Sequence, residues 1–166
     1  MMNQKKTSKS IKKLRKISWI QRSLQTDGSI KTPFNLLQEQ YWPDRWKVAV
    51  ICIFLNCTTR RAAEPIVHKF FHFFPNRESY ISAYETGAQL ISEFIAPLGF
   101  KKRRAERLYQ FSLDFYPSLQ DLSSCRGIGD YANSCDQIFF HELFDESPPT
   151  DGVLANVWKF VKDSYE

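Results

Sequence analysis

Residues 46–56, WKVAVICIFLN, constrain the chain more than any other stretch. The run is apolar on almost every face of a helix, and eleven helical residues reach only about 16 Å, far short of a ~30 Å hydrocarbon core. A helix of this kind must be surrounded by other elements of its own chain. The expectation is therefore a protein wrapped around one central buried helix.

The flanking segments supply the wrapping, and most read as helices. In KTPFNLLQEQYW, Thr32 is placed to cap a helix with Pro33 at its first position, where a residue without an N–H is tolerated. Thr58 and Thr59 can cap RRAAEPIVHKFFHFF, whose apolar residues recur at three and four and which Pro75 and Asn76 end. RESYISAYETG and AQLISEFIAPLG follow as a short and a longer helix, the second stopped by Pro97 and Gly99. KKRRAERLYQFSLDFY is a basic-headed amphipathic helix closed by Pro117. LQDLSSCRGIGDYANSCDQIFF reads as helix, tight turn, helix; FDESPPTDG as a loop; VLANVWKFVKDSY as the last helix. No convincing strand alternation and no internal repeat is present, so the fold class is all-α, with about eight or nine helices and short connections.

Charge divides the chain. Residues 1–22 carry eight Lys or Arg and no acid, which leaves 15 basic against 18 acidic residues, about −3, in the remainder. Residues 1–29 are expected to form a basic, disordered arm and residues 30–166 one folded domain. The arm suits either a polyanion-seeking or nuclear-address segment or a solubilising extension. With no run of eighteen apolar residues and no apolar stretch behind the N-terminal lysines, a soluble intracellular protein with no membrane partner is expected. Cys52, Cys57, Cys125 and Cys135 lack metal-ligand spacing and read as reduced, mostly buried thiols; His68, His72 and His141 read as structural or surface residues.

Chemistry concentrates in the second half. Gly127 and Gly129 flank Ile128 in GIGDY, a hairpin whose amides can be bare, with Ile128 anchored inward and Asp130 capping the next helix. Such an arrangement is either an ordinary helix–helix turn or a phosphate site. Arg60 and Arg61, and the run Lys101, Lys102, Arg103, Arg104, stand at helix starts against the dipole preference. They read either as solvated faces or as phosphate contacts, and Phe100 beside them as an exposed contact or a helix-closing one. Asp151, in PPTDG, is either the N-cap of the last helix or a carboxylate for chemistry.

In their joint order, TPFNLLQEQYWPDRWKVAVICIFLN, APLGFKKRRAERL, GIGDYANSCDQIF and PPTDGVLANVW cover most of residues 32–160. This order resembles the helix-hairpin-helix DNA glycosylases of the endonuclease III superfamily, most closely the glycosylase domain of methyl-CpG-binding-domain thymine DNA glycosylases. The resemblance implies removal of thymine or uracil mispaired with guanine, on double-stranded DNA, after base flipping. It implies Asp151 as catalytic carboxylate, Tyr131 and Gln38 as the base pocket, Phe100 as the wedge that fills the vacated stack, and Gly127, Ile128 and Gly129 as the backbone-gripping hairpin. Lys101, Lys102, Arg103, Arg60 and Arg61 are then expected on DNA. Tyr131 occupies the place where bifunctional relatives carry a Schiff-base lysine, which implies a monofunctional enzyme. No cysteine follows Cys135, so the iron–sulfur cluster of some relatives has no ligands; no cofactor and no metal are expected, and a monomer in the nucleus, or in the nucleoid of a prokaryote. The chain departs from the pattern it resembles at Cys57, where vertebrate relatives have an arginine that enters the duplex, and at Gly152 and Val153, which replace the polar pair that usually follows the aspartate. These departures keep open a non-catalytic helix-hairpin-helix DNA-binding module, and a glycosylase for adenine or alkylated bases shares the mechanism.

Overall fold

The computed structural model describes residues 19–141 and 147–163, so the expected arm lies outside the described residues from position 1 to 18. Seven α-helices are present among the described residues: α1 (Trp19–Ser23), α2 (Arg45–Leu55), α3 (Arg60–Phe73), α4 (Arg77–Phe94), α5 (Lys101–Asp114), α6 (Asp130–Asp136) and α7 (Gly152–Asp163). Short 3-10 turns form at Leu37–Gln40 and Ala96–Leu98, and α6 runs on into a π-turn, Gln137–His141. The fold is all-α; the one extended pairing among the described residues is an isolated bridge between Leu24 and Ile30.

The central helix is the run that the sequence singles out. Asp44 caps α2 by accepting from the Lys47 amide at 3.0 Å, and every residue from Val48 to Phe54 is buried. One side of α2 packs Trp46, Val50 and Phe54 against Phe70, Tyr80, Leu108 and Phe111. The other side packs Val48 and Cys52 against Trp19, Ala132, Cys135, Leu154 and Val157. Arg45, the first residue of α2, holds Asp136, the last of α6, through bidentate bonds of 2.7 and 2.8 Å, so the central helix and the helix after the hairpin are locked in register.

Three segments depart from the expected helices. TPFNLLQEQYW is not an α-helix: the Thr32 amide and hydroxyl both donate to the buried Glu39 carboxylate, which also takes the Leu36 amide. That carboxylate folds the segment into a tight loop, with Asn35 at φ 48, and leaves only a 3-10 turn. RESYISAYETG and AQLISEF merge into α4 across a kink at Gly87 (φ −156, ψ 60). The LQDLSS segment forms turns, one of them closed by the Asp121 carboxylate accepting from the Ser123 amide at 2.7 Å, the local competition that Asp offers to a helix.

The domain boundary also moves. Residues 19–29, expected in the arm, join the folded body, because Trp19 is only 1% exposed, meets Phe139 edge-on at 5.5 Å and donates its indole N–H to the Ile138 carbonyl at 3.2 Å. A large aromatic with a satisfied N–H outweighs the cationic segment before it. Trp19→Ala is expected to lose about 3–5 kcal/mol, the usual range for emptying a buried Trp site, and to lower Tm by roughly 10 °C in a thermal melt.

Candidate active site

The site is assembled at the C-terminal end of α2, where the chain must turn out of the core. The four carbonyls that end a helix need partners; here Arg104 serves two of them, Ile53 and Phe54, and the Thr58 amide takes Leu55. Arg104 is 5% exposed and donates to the carbonyls of Ile53, Phe54 and Asn56, to those of Leu98 and Gly99, and to the Thr58 hydroxyl. Arg104 therefore points inward rather than toward a phosphate, unlike the expectation for the KKRR run. Burial, together with the charge of Arg107, pushes its pKa down from the ordinary guanidinium value.

Two residues flank this anchor in left-handed backbone conformations, Cys57 at φ 57 and Phe100 at φ 49. Each non-glycine residue held there costs about 1–2 kcal/mol. Thr58, whose hydroxyl donates to the Leu98 carbonyl at 2.9 Å, ties the two turns together. The outcome is an exposed thiol and a Phe100 ring that is 72% exposed, both on the rim of a cleft of about 260 Å³ that Arg103 and Arg107 also line. Phe100 stands out from the body as the N-cap residue of α5, its carbonyl accepting from the Arg104 amide at 2.8 Å and its ring making no capping bond.

On the far side of Cys57 lies a larger cleft, about 460 Å³, whose walls include Gln38, Tyr131, Asp151, Phe34, Leu55 and Arg60. Gln38, 1% exposed, donates from Nε2 to the Tyr131 hydroxyl at 3.0 Å and lies 3.6 Å from Cys52 Sγ. Burial, reinforced by Cys52, Cys135 and Asp151, raises the Tyr131 phenol well above its ordinary pKa, against the opposing pull of Gln38. The phenol stays protonated and, having accepted from Gln38, keeps its own proton to donate. Asp151 Oδ1 accepts from the Val153 and Leu154 amides at 3.0 and 2.9 Å, so it caps α7 while its carboxylate walls the cleft. Among the described residues no protein donor engages Oδ2. The two sequence readings of Asp151 are thus compatible in one geometry.

The hairpin packs against α5. Gly127 sits at φ +84, and a Cβ there would meet the Arg107 carbonyl oxygen at 2.5 Å and its Cγ at 2.7 Å, so only glycine fits. Gly129 is extended (φ −113, ψ −179), faces open space and is itself the N-cap of α6; Asp130 is the first helical residue and does not cap. Ile128 packs between the two hydrophobic clusters, the inward anchor expected of it. Gly127, Ile128 and Gly129 line a third cleft, about 380 Å³, with Arg103, Glu106, Arg107 and Gln110.

The remaining cations are unequal. Arg60 is engaged within the protein, with Glu64 at 3.2 Å and with the Asn35 carbonyl, although it borders the large cleft. Lys101 pairs with Glu93 at 2.6 Å, whereas Lys102, Arg103 and Arg61 are exposed. His68 meets the Tyr41 hydroxyl at 2.5 Å, and His141 bridges Asp136 and Arg45. Sequence reading missed Arg107, although its place four residues after Arg103 puts it on the same helix edge.

The fold and the clefts define an all-α domain built around one buried helix, with clefts where that helix ends. No protein-family model matches the chain. Over 137 residues, 82% of its length, it is 30% identical to the methyl-CpG-binding domain protein 4-like protein of Arabidopsis thaliana. The chain spans 30% of that protein's length. It is thus related to methyl-CpG-binding domain protein 4-like proteins over most of its extent.

The two hairpin glycines are expected to behave differently. Gly127→Ala brings a left-handed penalty and a clash with backbone, together about 2–4 kcal/mol, while Gly129→Ala, extended and unobstructed, stays within about 0.5 kcal/mol of the parent or gains slightly. Denaturant unfolding of the two variants measures the difference.

Proposed function

We propose that the chain is a monofunctional DNA N-glycosylase of base excision repair, acting in the nucleus on thymine or uracil mispaired with guanine. The observation that carries the reading is the convergence of Gln38, Tyr131 and Asp151, drawn from three distant segments, on one cleft beside a protruding Phe100. A volume of about 460 Å³ suits a single extruded nucleotide better than a macromolecular surface. Relatedness to a protein whose name includes a methyl-CpG-binding domain agrees with DNA as the partner.

The mechanism follows from the groups present. Base chemistry inside a duplex requires extrusion at a cost of a few kcal/mol, less for a mispaired base. The hairpin grips backbone phosphate through the amides around Gly129, and Phe100 fills the gap in the stack. The extruded base enters between Gln38 and Tyr131, whose proton can stabilise charge on the departing ring. As the glycosidic bond lengthens, positive charge develops on the sugar. Asp151, its Oδ1 held by two backbone amides, presents Oδ2 to that charge and to an attacking water. Cys57 and Val153 line the cleft in place of larger polar groups, so discrimination between bases rests on Gln38, Tyr131 and the apolar wall.

The decisive measurement is incubation with duplexes carrying G·T, G·U, A·8-oxoguanine or alkylated bases, followed by alkali. Strand breaks at G·T and G·U only after alkali are expected; tight binding with no abasic sites would make the chain a non-catalytic DNA-binding module. Asp151→Asn keeps an oxygen for the α7 cap, so its Tm is expected to match the parent, while turnover falls at least several hundred-fold, about 3.5 kcal/mol of transition-state stabilisation. A comparable rate in a variant that melts like the parent reduces Asp151 to a cap. Phe100→Ala, at an exposed position, is expected to lose activity on paired DNA far more than on single strands in a side-by-side excision assay, because only the duplex needs its gap held open.

A further inference from the structure

Arg103 and Arg107 stand one helical turn apart on the same edge of α5, and both line the hairpin cleft and the Phe100 cleft. Among the described residues neither guanidinium has a hydrogen bond or ion pair, in contrast to Arg45, Arg60, Arg77, Arg104 and Arg126, each of which is engaged within the protein. Their backbone is held in place: Arg104, between them, is fixed in the core by its carbonyl fan, and the stem of Arg107 lies against Gly127. Glu106 is the one carboxylate lining these clefts, against the two guanidinium groups of Arg103 and Arg107, so positive charge predominates between hairpin and Phe100.

We infer that Arg103 and Arg107 form a two-guanidinium clamp on the phosphate backbone of one DNA strand, between the hairpin and Phe100. The inference rests on the DNA reading above and names the contact that sets the distance between its two ends. Guanidinium forks match phosphate oxygens in pairs, and a separation of about 6 Å along the helix axis, on flexible stems, lets the two arginines hold phosphates one or two nucleotides apart, given an axial rise of ~3.4 Å per nucleotide. The clamp explains why two cations are kept unpaired beside the like charge of Arg104, and why the hairpin must approach α5 so closely that position 127 has no room for a Cβ. The arginines are positioning residues: they fix where the strand lies relative to Phe100 and touch no reacting atom.

The test compares the full chain with Arg103→Gln, Arg107→Gln and the double variant, binding an undamaged duplex across a KCl series. Each single change is expected to reduce the magnitude of the slope of log K against log [KCl] by about 0.9 and the double change by about 1.8. Arg107→Lys, which keeps the charge and the stem, retains the parental slope. Methylphosphonate substitution, one phosphate at a time, is expected to weaken parental binding at one or two nearby positions to which the double variant is indifferent. A steep parental salt dependence that the double variant keeps would overturn the clamp and leave the DNA reading standing. So would a loss of single-turnover excision rate at saturating protein with the slope unmoved, which would place the arginines in the pocket. A parent with no measurable duplex affinity would overturn the DNA reading itself, and the clamp with it.

Discussion

A cation excluded from water holds this structure's functional end together. Arg104 sits where the central helix runs out of hydrogen-bond partners, and its guanidinium answers carbonyls from two separate turns, 53–56 and 98–99. Burying a guanidinium is unfavourable unless its donors are used. Here the acceptors are carbonyls that would be left bare at the end of a buried helix, so each side relieves the other. Five donors in a fixed fork can do this; the compact ammonium of a lysine would reach fewer of the carbonyls.

The anchor explains the shape of the rim. Once the turns at 57 and 99–100 are bound to one side chain, neither can relax, and Cys57 and Phe100 remain in conformations that each would leave if free. Backbone strain of this kind persists only where surroundings over-determine it. The strain has a geometric product: the Phe100 ring is pushed out of the body, the Cys57 thiol lies between two clefts, and α5 is aimed so that Arg103 and Arg107 line the hairpin cleft. The Arg45–Asp136 pair does the equivalent work at the other end of α2, holding α6 so that its first turn presents Tyr131 to Gln38.

Different parts of this arrangement were legible to different degrees. The central helix could be read directly, because apolarity on every face permits only burial, and the Thr59 cap could be read from its chemistry, its hydroxyl accepting the Ala62 amide at 3.3 Å. The meeting of Gln38 and Tyr131, 93 residues apart, could not come from periodicity or spacing; it came from a family resemblance, and the hydrogen bond between them is a fact of the tertiary fold. Arg104 was opaque for a physical reason: within KKRR nothing local marks which cation meets orphan carbonyls, since those belong to a helix fifty residues away. Thr32 misled in the opposite sense. It has the chemistry of a helix cap, but Glu39 reaches back to take both its amide and its hydroxyl, and a loop results. Trp19 was hidden by the lysines before it, a composition that describes the chain up to the tryptophan and not the residue itself.

In the proposed reading, Asp151 joins stability and chemistry in one side chain. A cap is ordinarily a local device, and a carboxylate kept for reaction is ordinarily unencumbered. Both conditions hold here because the two oxygens are divided: Oδ1 lies on the Val153 and Leu154 amides, and Oδ2 has no protein donor among the described residues. The capping bonds fix the rotamer, so the free oxygen keeps its place in the cleft wall without help from the polar residues that positions 152 and 153 lack. A glycine at 152 then fits its place, since a residue beside a carboxylate already oriented by its own helix need contribute no side chain, and a Cβ there would meet nothing within 4 Å.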